Sequence, residues 1–204
     1  MAIEPVWAES AVSNSRVFAD GRDYFSYRTP IAEDSGKDKR VQIQSFFLYD
    51  CRTCVNTQDI LALYSQLNAD KVVLKEYPIA TEEADFTARV YYSLMAMDLE
   101  EVSDALLFES SDADQYASLS QMEKLLAWLR QQRVDTVKFR QLYQSEEVSR
   151  QVSAAIVRTE KYGVFTYPFV VIQGKYVLTD STLYNDDYTF AVLDFLVNKL
   201  LIKE

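Results

Sequence analysis

The segment Ser45-Phe46-Phe47-Leu48-Tyr49-Asp50-Cys51-Arg52-Thr53-Cys54 decides how this chain is read. Its first half closes the run Val41-Gln-Ile-Gln-Ser-Phe-Phe-Leu48, which alternates and then becomes fully apolar. That pattern is a strand buried at its C-terminal half. Beyond Cys54, the residues Ile60, Leu61, Tyr64 and Leu67 recur at helical spacing as far as Asn68. Lys71 to Tyr77 (KVVLKEY) is a second strand, which Pro78 stops. The order is strand, CxxC, helix, strand: a βαβ unit whose crossover is right-handed.

Working outward, the next block is helical. Phe86, Val90, Leu94 and Met97 mark one apolar face, Leu119, Met122, Leu126 and Leu129 a second, and Val148, Val152, Ala155 and Ile156 a third. Neither glycine nor proline occurs between Ala84 and Glu160. Gly163 stops the last of these helices. Phe169 to Ile172 is a short strand, Gln173-Gly174 a tight turn, and Tyr176 to Leu178 the hairpin partner. Val192, Phe195, Leu196 and Leu200 make a final amphipathic helix. At the other end, residues 1–16 read as an arm, Asp20-Gly21 as a turn, and Pro30 to Arg40 as a loop. The whole is α/β, βαβ followed by a helical insertion and then ββα.

Composition narrows the chemistry. The 204 residues include two cysteines, four glycines and no histidine. Without histidine there is no Ser-His-Asp or Cys-His nucleophile pair and no histidine-ligated metal. Glycines at 21, 36, 163 and 174 are too dispersed for a phosphate-cradling loop. A net charge of −10, with no dense basic run, argues against nucleic acid and reads as a solvated surface. No stretch is long and apolar enough to span a bilayer. The start, Met1-Ala2-Ile3-Glu4-Pro5, lacks the basic and apolar regions of a secretion leader, which leaves a cytosolic protein or a mature chain.

Both cysteines stand at a strand–helix junction, three residues apart. A helix N-terminus presents unpaired N–H groups and partial positive charge, which stabilise a thiolate. Cys51 is then the exposed nucleophile and Cys54, in the first turn, the more sheltered resolving thiol. Arg52 adds positive charge beside the sulfur and Asp50 opposes it. Four readings compete: half of a zinc site completed by carboxylates, a passive structural disulfide, inert core thiols, and a redox pair. Zinc prefers N and S ligands, and so small a ring stabilises little. The strand–CxxC–helix context makes the redox reading the strongest. Thr166-Tyr167-Pro168 fits it. A proline at this point of a redox fold is expected to be cis and to lie beside the CxxC, where the preceding backbone can pair with an extended peptide. The alternative is an ordinary trans proline at a strand start.

Taken together, the Asp20-Gly21-Arg22-Asp23-Tyr24 entry, the segment Ser45–Cys54, Leu106-Leu107-Phe108-Glu109 and the run Thr166–Leu178 resemble the DsbA family of thiol-disulfide oxidoreductases. The resemblance implies a thioredoxin-like fold, residues 1–83 and 161–204, interrupted by an inserted all-helical domain, residues 84–160. It implies Cys51 as attacking cysteine, Cys54 as resolving cysteine, and a substrate strip of Thr166, Tyr167 and cis-Pro168. No cofactor beyond the redox-active disulfide and no metal are implied. The resemblance further implies cysteine-containing secreted proteins as substrates, a membrane quinone-linked oxidase of DsbB type as redox partner, and a periplasmic mature chain. An acidic surface without repeats leaves a monomer as the default.

Three departures from the family pattern bear on redox tuning. Arg52-Thr53 stands where strongly oxidising members usually have Pro-His. Ser45 stands where many have a buried acid that assists proton transfer. Tyr167 is larger than the residue common before the proline. Oxidation of substrates is expected, with reduction or isomerisation open. A peptide-binding or chaperone-like module that keeps the fold without efficient turnover is the alternative, with Tyr167, Phe165 and Phe169 as its apolar surface.

Overall fold

The computed structural model describes residues 18–32 and 38–202. The arm expected over residues 1–16, and part of the loop expected over Pro30–Arg40, lie outside the described residues.

Five strands form one sheet: β1 (Phe25–Ser26), β2 (Val41–Phe47), β3 (Val72–Pro78), β4 (Phe169–Ile172) and β5 (Tyr176–Thr179), in the order β1-β5-β4-β2-β3. β2 and β3 are parallel, as a βαβ unit requires, and the other pairs are antiparallel. Pro78 is the last residue of β3, opposite Phe47, so the strand runs one residue past its expected stop. β3 is an edge strand, where a proline is tolerated. The β4–β5 turn has Gln173 and Gly174 both at positive φ, 50° and 58°, the primed geometry that suits the twist of a hairpin.

Eight helices are described: α1 (Arg52–Leu67), α2 (Phe86–Met95), α3 (Glu100–Glu109), α4 (Ala113–Leu119), α5 (Met122–Gln131), α6 (Thr136–Tyr143), α7 (Glu146–Tyr162) and α8 (Asp186–Leu201). Three apolar faces thus belong to a block of six helices, α2 to α7. The breaks carry neither glycine nor proline. Asp98 and Arg133 turn the chain at φ 58° and 62°, and the side chains of Asp112, Asp135 and Ser145 accept the first free N–H groups of α4, α6 and α7. α7 ends at Gly163 with φ 60°, as expected.

One apolar core lies between the sheet and the pair α1 and α8, with Ile43, Leu61, Val170, Leu178, Val192 and Leu196 fully buried. A second gathers Phe47, Tyr49 and both cysteines with side chains of the helical block, including Leu94, Leu106, Leu126 and Phe139. The cysteines therefore sit where the sheet hands the chain to the helices. β1 was not foreseen. Its two exposed residues carry no period, and only pairing with Tyr176 and Val177 defines it.

Candidate active site at the Cys51–Cys54 disulfide

Cys51 and Cys54 are joined, with an S–S distance of 1.98 Å and 5.2 Å between Cα atoms. Cys51 is the N-cap of α1, in extended backbone geometry. Its Sγ accepts the backbone N–H of Cys54 at 3.0 Å, taking the place that a serine or aspartate oxygen fills at most helix starts. The Thr53 hydroxyl lies 3.7 Å from the same sulfur. Negative charge that develops on Cys51 Sγ meets these donors and the positive end of a sixteen-residue helix.

The expected contrast in exposure between the two sulfurs is corrected. Cys51 is 2% exposed and Cys54 3%, because both pack into the apolar cluster shared with the helical block. Position, cap against first turn, distinguishes the two cysteines, and solvent access does not. Arg52, Thr53 and Asp50 are all exposed at the rim.

The approach to Cys51 is held from the helical side. Tyr49 is fully buried and bonded at three points. Its backbone N–H donates to the Thr87 hydroxyl at 3.3 Å, its carbonyl accepts the Ser110 hydroxyl at 2.7 Å, and its phenol pairs with the Ser103 hydroxyl at 2.9 Å. Burial pushes the Tyr49 phenol far up, so it stays protonated. Sequence reasoning did not single out Tyr49, Thr87, Ser103 or Ser110. The one available signal was that Ser103 and Ser110 lie seven residues apart, on one helical face.

β4 brings the second element alongside. Phe46 pairs with Phe169 in antiparallel register, so the chain after Phe46 and the chain before Phe169 leave the sheet at the same end. Cys51 and Pro168 are thereby brought to one edge. The Tyr167–Pro168 peptide is cis. Pro168 is buried, Thr166 half-buried, and Tyr167 43% exposed. Burial first, then the charge of Asp50 and the neighbouring Tyr167, raise the phenol of Tyr116 in α4.

Ser45 is not at the disulfide. It is buried in β2, six residues before Cys51, and its partner across the parallel pair is Glu76 of β3. Glu76 accepts a hydrogen bond from the Gln58 amide of α1 at 3.2 Å, and the same amide donates to Asp104 of α3 at 2.8 Å. Burial, with Asp104 and Glu100 adding repulsion, pushes Glu76 up to about 7. Glu76 was missed because KVVLKEY reads as an alternating strand in which a charge is unremarkable. Among the described residues no group of three or more potential metal ligands is found.

A strand that ends in a CxxC at a helix N-terminus, with a cis-proline loop beside it, defines a thioredoxin-fold thiol-disulfide oxidoreductase. No family model matches the chain. It is 55% identical over 183 residues to an uncharacterized protein of Haemophilus influenzae, covering 90% of this chain and 78% of that one. The thiol:disulfide interchange protein DsbA of Burkholderia cepacia is 25% identical over 190 residues, covering 91% and 87%. The crystal structure of Pseudomonas aeruginosa DsbA superposes with a TM-score of 0.77 at 20% identity, covering 91% of this chain and 96% of that one. The chain is thus similar to a DsbA over 91% of its length and has the thioredoxin fold with helical insertion.

Proposed function

We propose that this protein exchanges its Cys51–Cys54 disulfide with cysteines of secreted or periplasmic proteins, working in the oxidising direction. The observation that carries the reading is Cys51 as the cap of α1, with its sulfur on the Cys54 N–H. Those donors favour the reduced, thiolate form, and a stabilised reduced form makes the disulfide the stronger oxidant.

A substrate thiolate attacks Cys51 Sγ, the Cys51–Cys54 bond breaks, and its electron pair leaves with Cys54 Sγ. A second substrate thiolate then attacks the substrate sulfur of the mixed disulfide and expels the Cys51 thiolate. The substrate departs with a disulfide and two electrons stay on the pair. Thr166, Tyr167 and Pro168 hold the peptide beside the sulfur, the backbone before the proline pairing with it as an added strand. Arg52 and Thr53 tune the pair, with the Thr53 hydroxyl in place of an imidazole. Recharging falls to a membrane quinone-linked oxidase of DsbB type in the periplasm. No described helix is long and apolar enough to cross a membrane itself.

Cys51→Ser is expected to abolish exchange with a reduced substrate peptide, and Cys54→Ser to accumulate mixed disulfides on non-reducing gels. Full exchange by Cys51→Ser overturns the reading. The equilibrium constant against glutathione decides direction, since a value near those of cytosolic reductants reassigns the protein to reduction or isomerisation.

A second reading has one observation in its favour. Phe165 is 83% exposed beside an apolar recess of about 250 Å³ lined by Phe25, Tyr162, Phe169 and Val177. A peptide-binding module without turnover would use that surface. Stoichiometric binding that survives Cys51→Ser and Cys54→Ser together favours it.

A further inference from the structure

The acidic chain carries a cleft of the opposite sign. Lys75, Arg158 and Lys161 are too far apart in sequence to form a basic run, in a protein of net charge −10. The fold gathers them around a cavity of about 260 Å³ between the sheet and α7. Side chains alternate along β3, so Lys75 and Tyr77 point to the face opposite Glu76. Gln42 of β2 lies on the floor with them, and Arg158 and Lys161, three apart on one face of α7, form the wall. Among the described residues no carboxylate lines the cavity.

Its polar groups are mostly donors. None of the three cations belongs to an ion pair among the described residues. Each rests on a neutral group instead. Lys75 Nζ donates to Gln42 Oε1 at 3.2 Å and Lys161 Nζ to the Ala32 carbonyl at 3.1 Å. The Arg158 guanidinium lies 4.1 Å over the Tyr77 ring, with one N–H on the Tyr92 phenol at 3.5 Å. Asp38 attracts Lys75, but both its oxygens are held by Arg40. Lysine can only donate, so its bond fixes which end of the Gln42 amide is which. Gln42 is 2% exposed, and its Nε2 hydrogens have no acceptor among the described residues. A buried donor left in this way calls for an acceptor from outside the chain.

We propose that this cavity binds the phosphate group of a small, soluble phosphate monoester. A phosphoryl group carries about two negative charges near pH 7 and three strong acceptor oxygens. The guanidinium, held flat against Tyr77, presents its fork to a pair of oxygens, and Lys75, Lys161 and the Gln42 amide supply further donors. Val157, 62% exposed at the wall, offers the organic body of the ester an apolar contact. One exposed valine is too little apolar surface to seat a membrane, so the phosphate arrives on a soluble molecule and not on a lipid headgroup. Binding moves no electrons, and the inference stands apart from the redox reading.

The test is isothermal titration calorimetry of the whole chain with glycerol phosphate, in phosphate-free buffer at about 0.15 M chloride, where long-range charge effects are screened. Saturable binding is expected, tighter than that of inorganic phosphate. Lys161→Gln removes a charged donor and Arg158→Lys removes the fork while keeping the charge; each is expected to weaken binding about tenfold. Lys138→Gln removes an exposed cation of α6 outside the cavity and should bind as wild type. Absence of saturable binding overturns the proposal, as does equal weakening by Lys138→Gln, which reduces the effect to net charge. Succinate bound as tightly as glycerol phosphate overturns the phosphate assignment. Capture by vesicles containing phosphatidic acid, without binding of the free ester, overturns the soluble one. Should the cavity variants not fold, nitrogen-15 NMR of the wild-type chain decides. Glycerol phosphate is expected to shift the Gln42 side-chain amide and Arg158 Nε signals first, and shifts spread evenly over the surface overturn the proposal.

Discussion

The disulfide is held between two regions that work by different means. On the sheet side, Ile43, Leu61, Val170 and Leu196 make a core that needs no polar contact. On the helical side, Phe47, Tyr49 and the cysteines share an apolar cluster, but hydroxyls from Thr87, Ser103 and Ser110 fix the strand exit at Tyr49. Apolar packing is tolerant of small rotations, whereas three hydrogen bonds of defined direction are not. The difference teaches that the sheet sets how stable the site is, and the helical layer sets how the cap is aimed.

Leu61→Ala probes the first half of that contrast and carries the largest expected effect. Leu61 is fully buried between α1 and the sheet, so its truncation leaves a cavity and should cost about 2–5 kcal/mol. Urea unfolding measures the loss. The equilibrium constant against glutathione should stay within about twofold, which is the scatter that ordinary context effects produce. A large redox change with this variant would break the comparison, since the sheet would then be aiming the cap as well.

Ser110→Ala probes the other half. The Ser110 hydroxyl donates to the Tyr49 carbonyl at 2.7 Å and also approaches the Leu106 carbonyl at 2.6 Å. Its loss strips a buried carbonyl of its side-chain donor, at a cost of about 1–3 kcal/mol. Here the glutathione constant should move by several-fold, because Asp50, the one residue between Tyr49 and the Cys51 cap, loses its fixed start. Unchanged redox behaviour with lowered stability would reduce the hydroxyls to packing.

The same contrast explains what could be read from sequence. The βαβ opening, the CxxC at a helix start, the hairpin turn at Gln173-Gly174 and the stop at Gly163 are local, each written in a period or a turn residue a few positions away. The helical block showed its apolar faces but not its six helices, since Asp98 and Arg133 turn the chain where glycine is usual. The bonds on Tyr49 come from residues 38, 54 and 61 positions away, and no periodicity encodes them. Ser45 was read at its own position, and only the register shows that the acid facing it belongs to the next strand. The exposed Cys51 expected from its place in the motif failed for the same reason: what covers the sulfur is contributed by distant helices.

Asp23→Asn gives the smallest effect and sharpens the contrast, because Asp23 is a charged exception on the sheet side. Its carboxylate accepts hydrogen bonds from the Ala19 N–H, the Arg22 guanidinium and the Tyr188 phenol of α8, pinning the entry turn. The Arg22 hydrogen bond is the main cause that holds this carboxyl at about 2, against an ordinary value of about 3.9. A depressed acid stabilises the fold above its ordinary value and loses that contribution as pH falls through the folded one. Arg22 is largely exposed, so solvent screens the pair and the effect is modest. Asp23→Asn should therefore unfold at lower urea than wild type at pH 7, with the gap closing as pH falls from about 4 towards 2. The Ser110→Ala gap should not change over that range, because neither the hydroxyl nor the carbonyl it serves gains or loses a proton there. A gap for Asp23→Asn that stays constant with pH would assign Asp23 to shape alone, and leave charge out of how the sheet side is held.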